Sequence, residues 1–253
     1  VSHWGPGAPR HITSAANWRE PIKWAKAARW AGRRDKVFCA SQADIFELEA
    51  PAAARQDLWR LIGDTCDALD WQLLTKRPQN ILSVMCDDNL NLGFFELTRC
   101  WLGTSVENQQ AADQRIPELL AIDAAMRFLS CEPLLEMVQL EPLGLCKDWR
   151  DGTSDEVNGI DWVICGGESG PGARPMHPDW ARSLRDECAV AGVPFFFKQW
   201  GEYGWWNQLP DDTAQRLDAA GEGHSEGNYR VGKKAAGSLL DGVEHKAFPV
   251  VRP

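Results

Sequence analysis

The sequence predicts a partial (β/α) barrel of about six parallel strands with helices outside. Three observations carry that prediction. Six short apolar runs recur along the chain, helical patterns separate most of them, and every run ends in polar residues. A run that is apolar throughout is how a strand buried on both faces reads. The repeat is about 30 residues, the size of one strand–helix unit.

The runs are Lys36–Ala40, Trp71–Thr75, Cys100–Thr104, Met126–Cys131, Asp161–Cys165 and Val193–Lys198. Between them, Pro21–Trp30 begins on a proline suited to a first helical turn and is followed by Gly32. Gln56–Leu69 sets Leu58, Leu61, Ile62, Cys66 and Leu69 at helical spacing. Pro78–Met85 opens a further helix. Asn108 is placed to cap Gln109–Ile122, and Pro178–Ala191 runs to Gly192. A G-x-G-x-x-G fingerprint follows none of the strands, and polar strand ends suit a barrel mouth, so a TIM-like barrel is preferred to an open doubly wound sheet.

One domain over 1–253 is expected, with a polar insertion near 144–160 and a loop-rich C-terminal extension from about residue 201. Within that extension, 201–232 reads as a long excursion and Val231–Leu240 as a short closing helix.

The chain has 253 residues and a net charge of −9, which disfavours a protein that coats nucleic acid over its whole surface. No apolar run is long enough to span a membrane. Val1–Gly7 has neither the basic head nor the apolar core of a signal peptide. The chain begins on Val rather than Met, and further sequence upstream is expected. None of the eight Cys forms a C-x-x-C pair, so they are read as reduced thiols of a cytoplasmic protein. Cys39, Cys131 and Cys165 stand near strand ends, but they lack the fixed short spacing of metal ligands and are expected to be packing residues.

In a parallel barrel the strand ends converge. Asp44, Lys76, Arg77, Glu107, Glu132, Glu168 and Lys198 would then share one cavity. The competing reading is that each merely caps a helix or joins a rim salt bridge. Gly166-Gly167-Glu168 is the sharpest local signal, because adjacent glycines let a ligand approach backbone N–H groups. Read alone, it is a tight turn. Near the N-terminus, Arg19, Lys23, Lys26, Arg29, Arg33 and Arg34 interleave with Trp18, Trp24 and Trp30. That mixture suits a nucleic-acid backbone, or else an outer amphipathic helix with its Trp turned inward.

The strings LLTKRPQN (73–80), LGTSVEN (102–108), LSCEPLL (129–135), WVICGGESGPGARP (162–175), FFFKQWG (195–201) and RVGKKAAGSLLDG (230–242) resemble the phage-associated radical-SAM-like barrel family, a family of unsettled reaction. The resemblance covers nearly the whole chain. It implies a radical-SAM-type barrel that binds S-adenosylmethionine and a four-iron four-sulfur cluster. By strand order, Ser41, Gln42 and Asp44 would meet the methionyl amine. Ser105, Glu107 and Asn108 would hold the ribose or carboxylate, and Gly166, Gly167 and Glu168 would flank the adenine or the substrate. Lys76, Arg77, Glu132, Lys198 and Gln199 would orient the substrate, a nucleic-acid base or nucleotide by mild preference.

The family's cysteine-rich stretch is absent, so the cluster ligands are expected upstream of residue 1 and this chain alone lacks them. Two alternatives stand beside this reading. One is a hydrolase using Glu107, Glu132 and Glu168. The other is a non-catalytic phage protein that binds DNA or a host factor. Substrate and oligomeric state are not legible in the sequence.

Overall fold

A computed structural model describes residues 10, 12–39, 43–87, 98–143, 159–209, 211–221 and 227–250. The fold is mixed α/β. Six strands, β1 (Asp35–Cys39), β2 (Leu69–Thr75), β3 (Trp101–Ser105), β4 (Met126–Cys131), β5 (Trp162–Gly166) and β6 (Phe195–Gln199), lie in one sheet in the order of the chain. The neighbours β1–β2, β4–β5 and β5–β6 are parallel. An order that never reverses is the winding of a (β/α) barrel. A doubly wound sheet reverses at a switch point, so the sequence-based preference for the singly wound alternative holds. The expected insertion at 144–160 lies outside the described residues except for its last two positions.

The chain divides into two compact units, 1–103 with 121–126, and 104–120 with 127–253. In the first, α1 (Ala15–Ala31), α2 (Ala52–Thr65) and α3 (Ile81–Asp87) accompany β1 and β2. The sequence places the start of α1 at Pro21. The helix begins six residues earlier, because the Ser14 side chain accepts from the Asn17 N–H at 3.3 Å and caps it. Pro21 therefore sits inside the helix, on its buried side with Ala25 and Ala28. Trp24 and Trp30 face solvent, against the inward placement expected of an outer helix. α2 likewise starts and stops four residues before its predicted limits, and Leu69 opens β2 instead of closing the helix. Arg34 fastens the β1–β2 end by reaching Asp70 and the carbonyls of Asp67 and Cys66.

The second unit holds β4, β5 and β6 with α4 (Gln109–Leu120) and α5 (Pro178–Ala191). α5 matches its predicted limits from Pro178 to the left-handed Gly192 cap. Its core is drawn from the strands and helix faces: Phe128, Leu129, Val163, Phe197, Leu184 and Cys188 are buried. Past β6 the sequence predicts a long excursion. The structure places ordered elements there instead: β7 (Tyr203–Trp205) pairs antiparallel with β8 (Asn228–Arg230), and α6 (Asp211–Ala219) lies between them. Leu209, Ala214 and Tyr229 form a small core of their own, which is why the Gly- and Asp-rich segment is held. The predicted closing helix is short, α7 (Lys233–Ala236), and gives way to a hairpin of β9 (Leu239–Leu240) and β10 (Val243–Glu244).

That C-terminal stretch covers the edge of β6. Phe197 N–H donates to His245 O at 2.8 Å, and the Lys246 ammonium donates to the carbonyls of Phe197 and Lys198. An uncovered edge strand would offer those groups to another chain. Asp241 locks the hairpin to α5 by accepting from Arg182 and Arg185, and from Gln208 as well. The Arg182 guanidinium, chiefly, holds its carboxyl well below the usual carboxylate range. A depressed carboxyl pKa adds stability above the unfolded-state value, near 4, and loses it as pH falls through the folded one. Asp241→Asn is expected to lower the melting temperature at pH 7 and to flatten the loss of stability below about pH 4, as read by thermal melts across an acid pH series.

Candidate functional site

The ends of β4, β5 and β6 build an open cleft of about 350 Å³, lined by Glu132, Pro133, Gly167, Glu168, Ser169, Lys198, Gln199 and Lys233. That volume suits a small ligand, at the lower end of ligand pockets. Its geometry starts from a register shift. β5 and β6 pair Cys165 with Phe197, but next pair Gly166 with Gln199, so Lys198 is the extra residue of a bulge. A bulge re-aims side chains at the end of a strand. Here Phe197 is buried in the core, Lys198 is turned out, and Gln199 is buried again.

Lys198 Nζ donates to Glu132 Oε2 at 2.8 Å. Gln199 Nε2 donates to Glu132 Oε1 at 3.3 Å and to Ser169 Oγ at 3.1 Å. This orients the amide, since the reverse placement would set its oxygen against a carboxylate oxygen. Gln199 Oε1 is then left buried with no hydrogen-bond donor, in a residue only 6% exposed. An unpaired buried acceptor costs about 1–3 kcal/mol. Lys233, exposed at the start of α7, has no ion-pair partner among the described residues. The cleft is therefore lined by one residue with a buried, unpaired acceptor and by a cation without an ion-pair partner among the described residues.

The glycine pair has a packing role. Gly167 N–H donates to Gln199 O at 2.9 Å, and a Cβ at Gly167 would lie 1.9 Å from Trp200 O. Gly201, at φ 86°, approaches Glu168 O equally closely, where a Cβ would stand at 2.1 Å. The loops after β5 and β6 thus lie backbone against backbone, and Glu202 N–H donates to Glu168 O at 2.9 Å. Glu202 O in turn accepts from Val231 and Gly232, and Trp200 N–H donates to Gly237 O. These bonds hold the approach to α7, and with it Lys233, beside the strand ends. Gly166 has more room, because the atoms nearest a Cβ there belong to the Glu132 side chain, at 3.2 Å, and not to backbone.

Of the residues expected from sequence, the cleft gathers Glu132, Gly167, Glu168, Lys198 and Gln199, with Gly166 adjoining. Glu168 is turned to Arg174, whose guanidinium grips both oxygens at 2.8 and 2.9 Å and holds the carboxyl below its ordinary pKa. Ser105 ends β3, and Glu107 and Asn108 lead into α4. Arg115 donates to Glu107 Oε2 and to Ser105 O, both at 2.7 Å, and Asn108 Oδ1 accepts from Ala111 N–H as a helix cap.

In the first unit, Asp44 accepts from Thr75 Oγ1, Lys76 N–H, Phe46 N–H and Arg77 Nη1. Glu47 accepts from Arg10 and Arg77. Lys76 itself is exposed. Ser41 and Gln42 lie outside the described residues. Sequence reasoning passed over Ser169 and Lys233, and over Arg115 and Arg174, the partners of the two glutamates. Ser169 stood within the Gly-Gly-Glu-Ser-Gly string and Lys233 within RVGKKAAGSLLDG, but nothing local showed that this distant segment returns to the strand ends.

Among the described residues, no group of three or more His, Cys, Asp or Glu is arranged to hold a metal. Cys131 and Cys165 are register partners on β4 and β5, fully buried, and burial pushes both thiols up. Burial raises Cys39 and Cys188 to about 12. Protonated, enclosed thiols are packing groups. No helix among the described residues is long and apolar enough to cross a membrane.

A family described as "Protein of unknown function (DUF5131)" matches residues 3–249. The chain belongs to the DUF5131 family. No curated protein and no solved structure matches it.

The two adjacent glycines offer a direct contrast. Gly167→Ala drives a methyl into the Trp200 carbonyl and is expected to destabilise the protein by at least about 1–3 kcal/mol. Gly166→Ala displaces only the Glu132 side chain and should cost less. Parallel denaturant unfolding of the two variants measures the difference.

Proposed function

We propose that this chain is the barrel of an enzyme of the radical-SAM type that holds a small polar ligand at the ends of β4, β5 and β6. The observation that carries the site is the buried Gln199 Oε1 without a donor, in a cleft that Lys233 also lines. An amino-acid-type ligand answers both groups, its ammonium donating to Gln199 and its carboxylate facing Lys233. The methionyl end of S-adenosylmethionine has that chemistry, and this reading moves its amine from Ser41, Gln42 and Asp44, where strand order would put it, to Gln199. What supports the radical type is the resemblance of the strand-end strings to the radical-SAM-like family; the unreversed strand order is compatible with it, as with any singly wound barrel.

The described residues do not fit an iron–sulfur cluster, because they offer no set of ligands and their buried thiols are raised. S-adenosylmethionine held by Gln199 and Lys233 would supply hydrogen-atom abstraction on one-electron reduction by an external donor. The part of this chain is to seat and orient the ligand. The Lys198–Glu132–Gln199 chain keeps the Gln199 carbonyl aimed, and the Gly167–Trp200 apposition keeps the cleft wall rigid. A carboxylate hydrolase needs a neutral carboxyl as its acid. Glu168 is held ionised by Arg174, which speaks against that role for it.

The test is the natural gene product purified without oxygen, assayed for iron and sulfide, then given S-adenosylmethionine and a reductant. The expected result is bound cluster and release of 5′-deoxyadenosine. A protein that after reconstitution with iron and sulfide neither binds nor cleaves S-adenosylmethionine overturns the radical reading. The site has a separate readout: Lys233→Ala is expected to weaken S-adenosylmethionine binding by about tenfold in calorimetric titration, with an unchanged melting temperature because Lys233 is exposed.

A further inference from the structure

The outer face of α1 carries chemistry that the cleft does not use. At about 100° per residue, Arg19, Lys23, Lys26 and Trp30 fall within an arc of about 60°. All four are exposed, and Trp30 is 92% exposed. The buried residues Pro21, Ala25 and Ala28 lie on the opposite side. The line runs about 16 Å along the helix axis.

The other cations of this region are engaged in ion pairs. Arg29 pairs with Asp67, Arg33 with Asp35, and Arg34 with Asp70. Arg19 and Lys26 have no ion-pair partner among the described residues, and Lys23 meets only the exposed Glu20 on its own helix. Burying Ala and Pro while leaving a Trp in water reverses the usual economy of an outer helix. Three cations one turn apart, ending in an exposed indole, form a phosphate-contacting row with a stacking platform. Ile22 and Trp24 are also exposed, but they fall on opposite flanks of the row. The face is therefore not the continuous apolar stripe that enters a bilayer. In a chain of net charge −9, this row is a local basic feature.

We propose that the Arg19–Lys23–Lys26–Trp30 face of α1 binds single-stranded nucleic acid, the cations meeting phosphates and Trp30 stacking on a base. The proposal is independent of the cleft and of the radical reading.

The test is fluorescence anisotropy of a labelled single-stranded oligothymidylate with the full chain over a salt series. Contact with two or three phosphates predicts a log–log salt slope of about −1.4 to −2.1. Trp30→Ala is expected to weaken binding at least about fivefold. The charge reversal Arg19→Glu with Lys26→Glu should weaken it at least about tenfold. Arg60→Glu, an exposed change on α2, should leave it unaltered. All these sites are exposed, so unchanged melting temperatures separate lost binding from lost fold. No binding at the lowest salt, or binding indifferent to Trp30 and the charge reversal, overturns the proposal. So does binding to phosphatidylglycerol vesicles or to a protein partner through this face while the oligonucleotide stays silent.

Discussion

The apposition of two backbones after β5 and β6 is the constraint on which the second unit depends. Gly167 lies against the Trp200 carbonyl, Gly201 against the Glu168 carbonyl, and no side chain fits between them. With the loops so close, their N–H and carbonyl groups bond to each other, and a buried backbone needs such partners. The β5–β6 bulge precedes this contact by one residue and turns Lys198 toward Glu132. The packing that holds the loops together is thus also what shapes the cleft.

The same contact governs the end of the chain. Trp200 is buried, its indole donates to Leu239 O, and its backbone N–H donates to Gly237 O. The C-terminal hairpin then closes the β6 edge and is locked to α5 through Asp241. Trp162 joins this seal, donating to Ala247 O and stacking near Phe248 at 4.8 Å between centroids. A segment with few apolar residues is ordered because it completes another element's hydrogen bonds.

Charge is distributed by purpose. Most strand-end carboxylates are satisfied inside the chain: Asp44 by Thr75 and Arg77, Glu107 by Arg115, and Glu168 by Arg174. They brace loops and helix starts. Among the described residues, unpaired groups stand in the cleft, at Gln199 and Lys233, and on the outer row of α1, besides isolated buried atoms of Trp59, Gln72 and Asn228. Unsatisfied groups, rather than the density of charge, distinguish a binding surface from a rim.

The sequence by itself determined the strands and their order, because a strand buried on both faces must be apolar throughout and its helix must be amphipathic. All six runs appear as strands within a few residues, and α5 matches its predicted limits. It also marked Glu132, Glu168, Lys198 and Gln199 as strand-end residues, which the cleft brings together. Only the tertiary structure decided which of them is free. Glu168 is committed to Arg174 and Gly167 to Trp200, while Gln199 keeps a buried, unpaired acceptor and Lys233 arrives from far along the chain. It also turned Trp24 and Trp30 outward, because small residues face inward from α1. Periodicity records which face of an element is apolar, whereas partners are set by approaches between distant segments, and those carry no local pattern.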